Sequence, residues 1–312
     1  MQKNKILITG VAGFIASHIA SRFLAEGYSV VGVDDLSGGK LSNIPDGVEF
    51  IQGDLANPAT IQRLPADCRQ ILHLAGQSSG EISFDDPVAD LTMNTITTLR
   101  LIEHGIRNNM ERIVYASSMS VYGSVPDAPI SESHHPTPLS CYGVGKFASE
   151  GYLRIYQRKL PYVAMRMFNV YGPGQDLSNL RQGMVSIYLA QALKSGRIEV
   201  KGSTERFRDF IFINDVVEAW WRATTRTEPL NHAINIGTGI RTSVGELLKA
   251  ICALVPGSEF YISGSTLGDQ SGIYANTQAM KRLLSHEATT RLKDGLPPFI
   301  ASAKAQMQLL HK

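Results

Sequence analysis

The chain begins with a short apolar run, Ile6-Leu7-Ile8, that leads directly into Thr9-Gly10-Val11-Ala12-Gly13-Phe14-Ile15-Ala16. No other stretch limits the possible folds as strongly. A strand that turns through two glycines into a helix is the opening unit of a doubly wound α/β sheet built around a dinucleotide. Gly10 permits the tight turn, and Gly13 lets backbone N–H groups approach a pyrophosphate at the helix N-terminus. Ala16 takes the small packing position. Phe14 and Ile15, the first helical residues, complete the candidate cradle. About 18 residues beyond Ala16 the next β-rich run ends in Asp34-Asp35, near the roughly 20 expected for a carboxylate that binds both ribose hydroxyls. A 2′-phosphate would meet two negative charges there, so the expected cofactor is NAD rather than NADP.

The strand-helix alternation continues. Runs at 5–9, 29–34, 48–53, 70–75, 112–117 and 163–169 read as strands, and the segments between them carry helical spacing, as in Phe14, His18, Ile19 and Phe23. This order predicts an α/β fold: a doubly wound parallel (Rossmann) sheet over 1–168, with 207–240 partly returning to it, and a smaller C-terminal substrate-binding lobe over 169–312. In that lobe helices are expected at 184–194, 215–225, 244–254 and 300–310, and strands at 198–201, 207–213 and 233–236. At 312 residues and 43% hydrophobic, the chain can fill both cores. A net charge of +2 without a dense Lys/Arg cluster speaks against nucleic acid or a membrane surface as partner. Cys68, Cys141 and Cys252 are odd in number and lack C-x-x-C spacing. Together with a start that has no leader-like segment, they suggest a cytoplasmic protein with free thiols.

Tyr142 and Lys146 are four residues apart in a predicted helix, so phenol and ammonium share one face. The ammonium favours the phenolate, which turns a weak acid into a usable base. Strand C-terminal ends line the ligand crevice of a doubly wound sheet. Asp54 and Leu55 close the third strand, and Leu74, Ala75 and Gly76 close the fourth, which makes them cofactor-binding candidates. Ser118 ends the fifth strand and is the preferred partner for Tyr142 at a substrate hydroxyl, with Ser120 as the alternative. His73 reads as a buried, hydrogen-bonded histidine rather than a catalytic one. His134-His135 has no third ligand at recognisable spacing, so no metal is expected.

These motifs, in this order, resemble the extended short-chain dehydrogenase/reductase family, in its branch of NAD-dependent nucleotide-sugar epimerases and dehydratases, from Ile6 to about Met280. The resemblance implies that Gly10, Gly13 and Ala16 hold the pyrophosphate, Asp34 the ribose and Asp54 the adenine. It also implies that Ser118, Tyr142 and Lys146 form the catalytic group. Asn94 matches the asparagine of the family's N-x-x-G-T segment, although Thr97 stands at the glycine. The run from Arg166 to Pro173 is similar to R-x-F-N-x-Y-G-P, which implies that Asn169 meets the substrate diphosphate. Arg208-Asp209-Phe210 matches R-D-[FY], which makes Arg208 a diphosphate clamp, a role suited to a guanidinium fork. Two departures concern the substrate. Lys201 replaces an aromatic residue expected near the nucleobase, and the arginine expected beside Gly268-Asp269 is missing, so that either Arg206 or Lys201 compensates or the substrate is held differently.

The implied chemistry is proton abstraction from a sugar hydroxyl by Tyr142 with hydride transfer to NAD, giving a keto-sugar. Dehydratases of the family carry an Asp-Glu pair before V-Y-G, and the decarboxylases carry Glu at the position of Ser120. Met119-Ser120 here favours a UDP-glucose 4-epimerase-like reaction. Glu81, in the loop after the fourth strand, is a candidate sugar contact or second acid. A keto-sugar reductase using dissociable NAD(P)H and a redox-sensing binding protein are the readings of other classes. Family analogy also implies a homodimer joined by the segments 88–108 and 142–159.

Overall fold

The computed structural model describes residues 4–228, 230–264 and 271–310. Six strands of the first half, β1 (Lys5–Thr9), β2 (Ser29–Asp34), β3 (Glu49–Gln52), β4 (Gln70–His73), β5 (Arg112–Ser118) and β6 (Tyr162–Met167), alternate with helices. The helices are α1 (Phe14–Ala25), α2 (Pro58–Arg63), α3 (Pro87–Leu91), α4 (Thr97–Arg107) and α5 (Cys141–Tyr156). The second half adds β7 (Asn169–Tyr171), β8 (Arg197–Lys201), β9 (Phe207–Arg208), β10 (Phe210–Phe212), β11 (His232–Ile236), β12 (Thr242–Ser243) and β13 (Glu259–Ser263). Its helices are α6 (Met184–Ser195), α7 (Ile213–Thr225), α8 (Val244–Leu254), α9 (Gln278–Leu284) and α10 (Leu292–Leu310). A seven-stranded sheet runs in the order β11-β6-β5-β4-β1-β2-β3, and every pairing in it is parallel. The order reverses between β1 and β4, and the crevice that binds ligands in such sheets opens at that point.

Alternation along the strands builds two cores. Ile6, Ile8, Leu72, Val114 and Ala116 face α1 and α7, where Ile19, Phe23 and Trp220 meet them. Leu7, Ile71, Ile113 and Tyr115 face the other side and pack with Leu101, Ile102 and Leu153 of α4 and α5. A third cluster, with Tyr188, Leu189, Ile198, Leu247, Leu248 and Phe299, fills the C-terminal lobe. Helix starts follow local chemistry: Asp86 accepts from the N–H groups of Val88 and Ala89 ahead of α3. Ser140 caps α5 through Gly143 N, and Ser243 with Glu246 forms a capping box on α8.

Four elements differ from the sequence expectation. The strand expected over 163–169 stops at Met167, and Asn169–Tyr171 leaves the main sheet to pair with β10. The strand expected over 207–213 is broken at Asp209, whose buried carboxylate accepts from Thr238 N and Oγ1, Gly239 N and Ala275 N. The helix expected over 88–108 contains a π turn at Thr92–Ile96. The last helix starts at Leu292 and runs through Pro297 and Pro298. The Gly268-Asp269 segment lies outside the described residues. No helix among the described residues is long and apolar enough to cross a membrane.

One buried ion pair ties the sheet to the helix carrying Tyr142. Arg166 of β6 donates to Glu150 of α5 through Nε (2.9 Å) and Nη2 (2.6 Å), and through Nη1 to the Tyr122 hydroxyl at 2.9 Å. Ser117 donates to the same carboxylate, and Tyr122 donates to Asn235 of β11. Removing one partner of such a pair leaves a buried charge without compensation. Arg166→Met is expected to lower unfolding stability by about 3–5 kcal/mol, read from denaturant midpoints at unchanged slope.

Candidate active site

The turn after β1 is held from three sides. Gly10 has φ +71°, and a Cβ there would lie 2.8 Å from Ala75 N, so the turn closes onto the β4 end only as glycine. Asp34 accepts from Ala12 N at 3.0 Å and from Leu36 N at 2.8 Å, which fixes the turn to the end of β2. Burial raises its carboxyl pKa against the effect of these two N–H groups. Thr9 Oγ1 accepts from Leu74 N and Ala75 N. Gly13 starts α1 without a side-chain cap, and the first turn carries no acid. Its N–H groups are therefore left for an anion.

The expected residues are placed as follows. Gly10, Gly13, Ala75 and Gly76 meet around this turn, with Phe14 and Ile15 on the first turn of α1. Asn94 is fully buried at the π turn, and its Oδ1, with no hydrogen-bond partner, lies where a Cβ on Gly76 would be 2.5 Å away. Asp54 is exposed at the β3 end, where its Oδ1 accepts from Ala56 N. Leu55 and Leu74 differ: the first packs into the core under the sheet, and the second is half-buried beside the turn. His73 is fully buried between the hydroxyls of Thr9 and Thr98, 2.8 and 3.1 Å away. Burial and then Lys146 lower its pKa to about 3, so it stays neutral. These groups fit a dinucleotide: an uncapped helix start for the pyrophosphate, Asp34 for ribose, and an orphaned amide oxygen near the β4 end.

Ser118, Tyr142 and Lys146 come together at the C-terminal end of β5. Ser118 accepts from Ser120 N at 3.1 Å, which starts a tight turn at Met119–Val121. Gly143 presses against that turn, since a Cβ on it would stand 2.5 Å from Ser120 O. The Ser118 hydroxyl donates to Ser120 Oγ at 3.2 Å and lies beside the Tyr142 phenol. Burial pushes the Tyr142 pKa up to about 12, Ser118 lowers it through a hydrogen bond, and the Asp90 carboxylate raises it. Lys146 Nζ stands 5.6 Å from the Tyr142 ring centre and 5.0 Å from that of Tyr115. Burial lowers its pKa to about 8, and Asp90 opposes the shift.

Glu81, Ser120, Asn169 and Arg208 line one cavity of about 520 Å³ beside this group, together with Arg181, Tyr188, Lys201 and Arg206. Arg208 is buried, and its pKa is lowered to about 10 by burial and by the neighbouring Arg206. Two guanidinium groups held together favour an anionic ligand between them. Sequence reasoning missed Asp90, Arg181 and Tyr188. Asp90 is buried, accepts from Gln77 and Asn94, and leaves its second oxygen unpaired. Its position four residues before Asn94 was the one available signal, whereas Arg181 sits in a loop with no periodicity.

Residues 6–237 match the NAD dependent epimerase/dehydratase family. The chain belongs to that family. NAD is its cofactor, and its fold and catalytic class are those of the nucleotide-sugar epimerases in the extended short-chain dehydrogenase/reductase group. It is 39% identical to a UDP-glucose 4-epimerase of Mycolicibacterium smegmatis over 262 residues, 80% of this chain and 82% of that one. The Thermotoga maritima UDP-glucose 4-epimerase with UDP-glucose superposes with TM-score 0.93 at 30% identity, covering 97% of this chain and 99% of the other. The Bacillus cereus UDP-glucuronic acid 4-epimerase, in complex with UDP-glucuronic acid and NAD, does so with TM-score 0.90 at 27% identity, covering 97% and 99%.

The buried lysine sets activity against stability. Its pKa is about 8 in the folded protein against 10.5 for an ordinary lysine. Between those values the unfolded chain holds more protons, so stability rises with pH there, and below pH 8 the full penalty remains. Lys146→Met is expected to stabilise the cofactor-free protein at pH 7 by about 1–3 kcal/mol, a gain that shrinks above pH 8. The same variant is expected to lose at least about 10²-fold in turnover. Urea unfolding across pH and steady-state kinetics check the two halves.

Proposed function

We propose that the protein epimerises a nucleotide-diphosphate sugar at C4 through a transient keto-sugar, with NAD retained throughout. The observation that carries this reading is the Tyr142 phenol, buried against Ser118 and Lys146, beside a cavity that also contains Arg206 and Arg208. Ser118 orients the reacting hydroxyl, and Tyr142, ionised to its phenolate beside Lys146 and the positive nicotinamide of bound NAD, accepts its proton and later returns it. Lys146 stabilises the phenolate before that proton arrives and after it has been returned. Bound NAD supplies the hydride acceptor and donor. Arg208, Arg206 and Asn169 grip the diphosphate, so the hexose can turn over between the two transfers while its nucleotide stays fixed. Met119 and Ser120 offer neither the acid pair nor the glutamate of the dehydrating and decarboxylating relatives.

Residues 1–168 with 207–240 are assigned to cofactor binding, and 169–312 otherwise to substrate. Three free cysteines support a cytoplasmic location. The protein is assigned as a homodimer, supported by exposed Val88 and Leu91 on α3 and by Val144, Phe147 and Ile155 along α5, an apolar stripe that suits a second copy better than water. Val144→Arg with Ile155→Arg is expected to convert a dimer into a monomer in sedimentation velocity.

The reaction is tested with purified protein and UDP-glucose, without added cofactor. UDP-galactose is expected by NMR, with no solvent deuterium at C4, and Tyr142→Phe is expected to cut the rate by about 10³-fold. Failure to convert any of a panel of UDP-, GDP-, CDP- and dTDP-sugars would overturn the assignment.

A further inference from the structure

The cations lining the cavity fall into two groups. Arg206 contacts the backbone of Lys201 and lies beside Arg208, a concentration of positive charge suited to a diphosphate. Arg181 stands apart, already held by two carboxylates. Its Nε donates to Glu81 at 3.2 Å, and its Nη1 and Nη2 donate to Asp85 at 2.6 and 3.2 Å. The same loops are joined again by Gln182 donating to Ser78 and by Ser79 donating to the Arg181 carbonyl. The wall contributed by Ser78, Ser79, Gly80 and Glu81 shares the cavity with Met119 and Ser120, which directly follow Ser118. This wall of the cavity thus carries hydroxyls and the Glu81 carboxylate, whose cation Arg181 is shared with Asp85 on the solvent side of the cluster. Among the described residues lining the cavity, the other carboxylate is Glu199, which accepts from Ser263.

We propose that the Glu81–Arg181–Asp85 cluster restricts the enzyme to nucleotide sugars with an uncharged hexose, and that Glu81 is the residue that turns away hexuronic acids. The inference rests on the nucleotide-sugar reading above and adds the class of sugar. A hexose hydroxyl can donate to the Glu81 carboxylate. A sugar carboxylate has no proton to donate and meets like charge in a partly desolvated wall. Arg181 does not rescue it, because its fork already spans Asp85, and an incoming carboxylate would have to displace that bidentate pair.

The test compares UDP-glucose, UDP-glucuronic acid and UDP on the protein as purified with its cofactor, by binding calorimetry and as substrates or inhibitors. Wild type is expected to bind UDP-glucuronic acid at least about tenfold more weakly than UDP-glucose, roughly the effect of one modest like-charge contact. Glu81→Gln is expected to narrow that ratio by a similar factor while UDP affinity stays constant. Asp85→Asn, on the exposed side of the same cluster, is expected to narrow it less. Equal wild-type affinity for the two sugars, or a ratio indifferent to Glu81→Gln, would overturn the proposal. Absence of any turnover with the binding ratio intact would instead count against the epimerase reading alone.

Discussion

The site depends first on the pair between Arg166 and Glu150. A buried ion pair stabilises a fold only when its remaining hydrogen-bonding capacity is filled, and here it is. Glu150 takes two guanidinium nitrogens and the Ser117 hydroxyl, and Arg166 also reaches Tyr122, which in turn reaches Asn235. The network joins β5, β6, β11 and α5, and it fixes the rotation and height of the helix. Tyr142 and Lys146, about two turns and one turn before Glu150, are thereby set against Ser118, which lies one residue beyond Ser117. The positions of base and hydroxyl are thus consequences of an arrangement formed away from the cavity.

The catalytic pair itself works against folding. A phenol and an ammonium both removed from water are pushed toward their neutral forms, and the Asp90 carboxylate opposes that push for Lys146 while adding to it for Tyr142. Such frustration is characteristic of sites tuned for proton transfer rather than for stability. The surrounding core supplies the rigidity: Tyr115, His73 and Thr98 are all buried and immobilised next to Lys146.

Much of the fold was legible because its signals are local. β1, its glycine turn and α1 are encoded within a few residues, and Asp34 follows at the distance the fold requires. The Tyr142–Lys146 spacing and Ser118 were readable for the same reason. What escaped is organised by contacts distant in sequence. Asp209 breaks a strand because its carboxylate is claimed by Thr238, Gly239 and Ala275, residues 29 to 66 positions away. The π turn at Thr92–Ile96 is fixed across helices, where Thr95 donates to Gly145 and Ser149 to Asn94. The last helix, expected over 300–310, begins at Leu292 and holds Pro297 and Pro298 within it. Arg181 drew no notice because a loop arginine has no periodicity, and its role exists only once two loops from different halves of the chain meet.

Gly143 has an implication for engineering. Glycine inside a helix weakens it by roughly 0.5–1 kcal/mol relative to alanine, so this position looks like an obvious target for thermostabilisation. The methyl group of an alanine would, however, be driven into the carbonyl of Ser120 at 2.5 Å. Relief would come from sliding the helix outward and parting the phenol from the serine hydroxyl. At this position a consensus-style repair of helix propensity would trade away the proximity on which turnover depends.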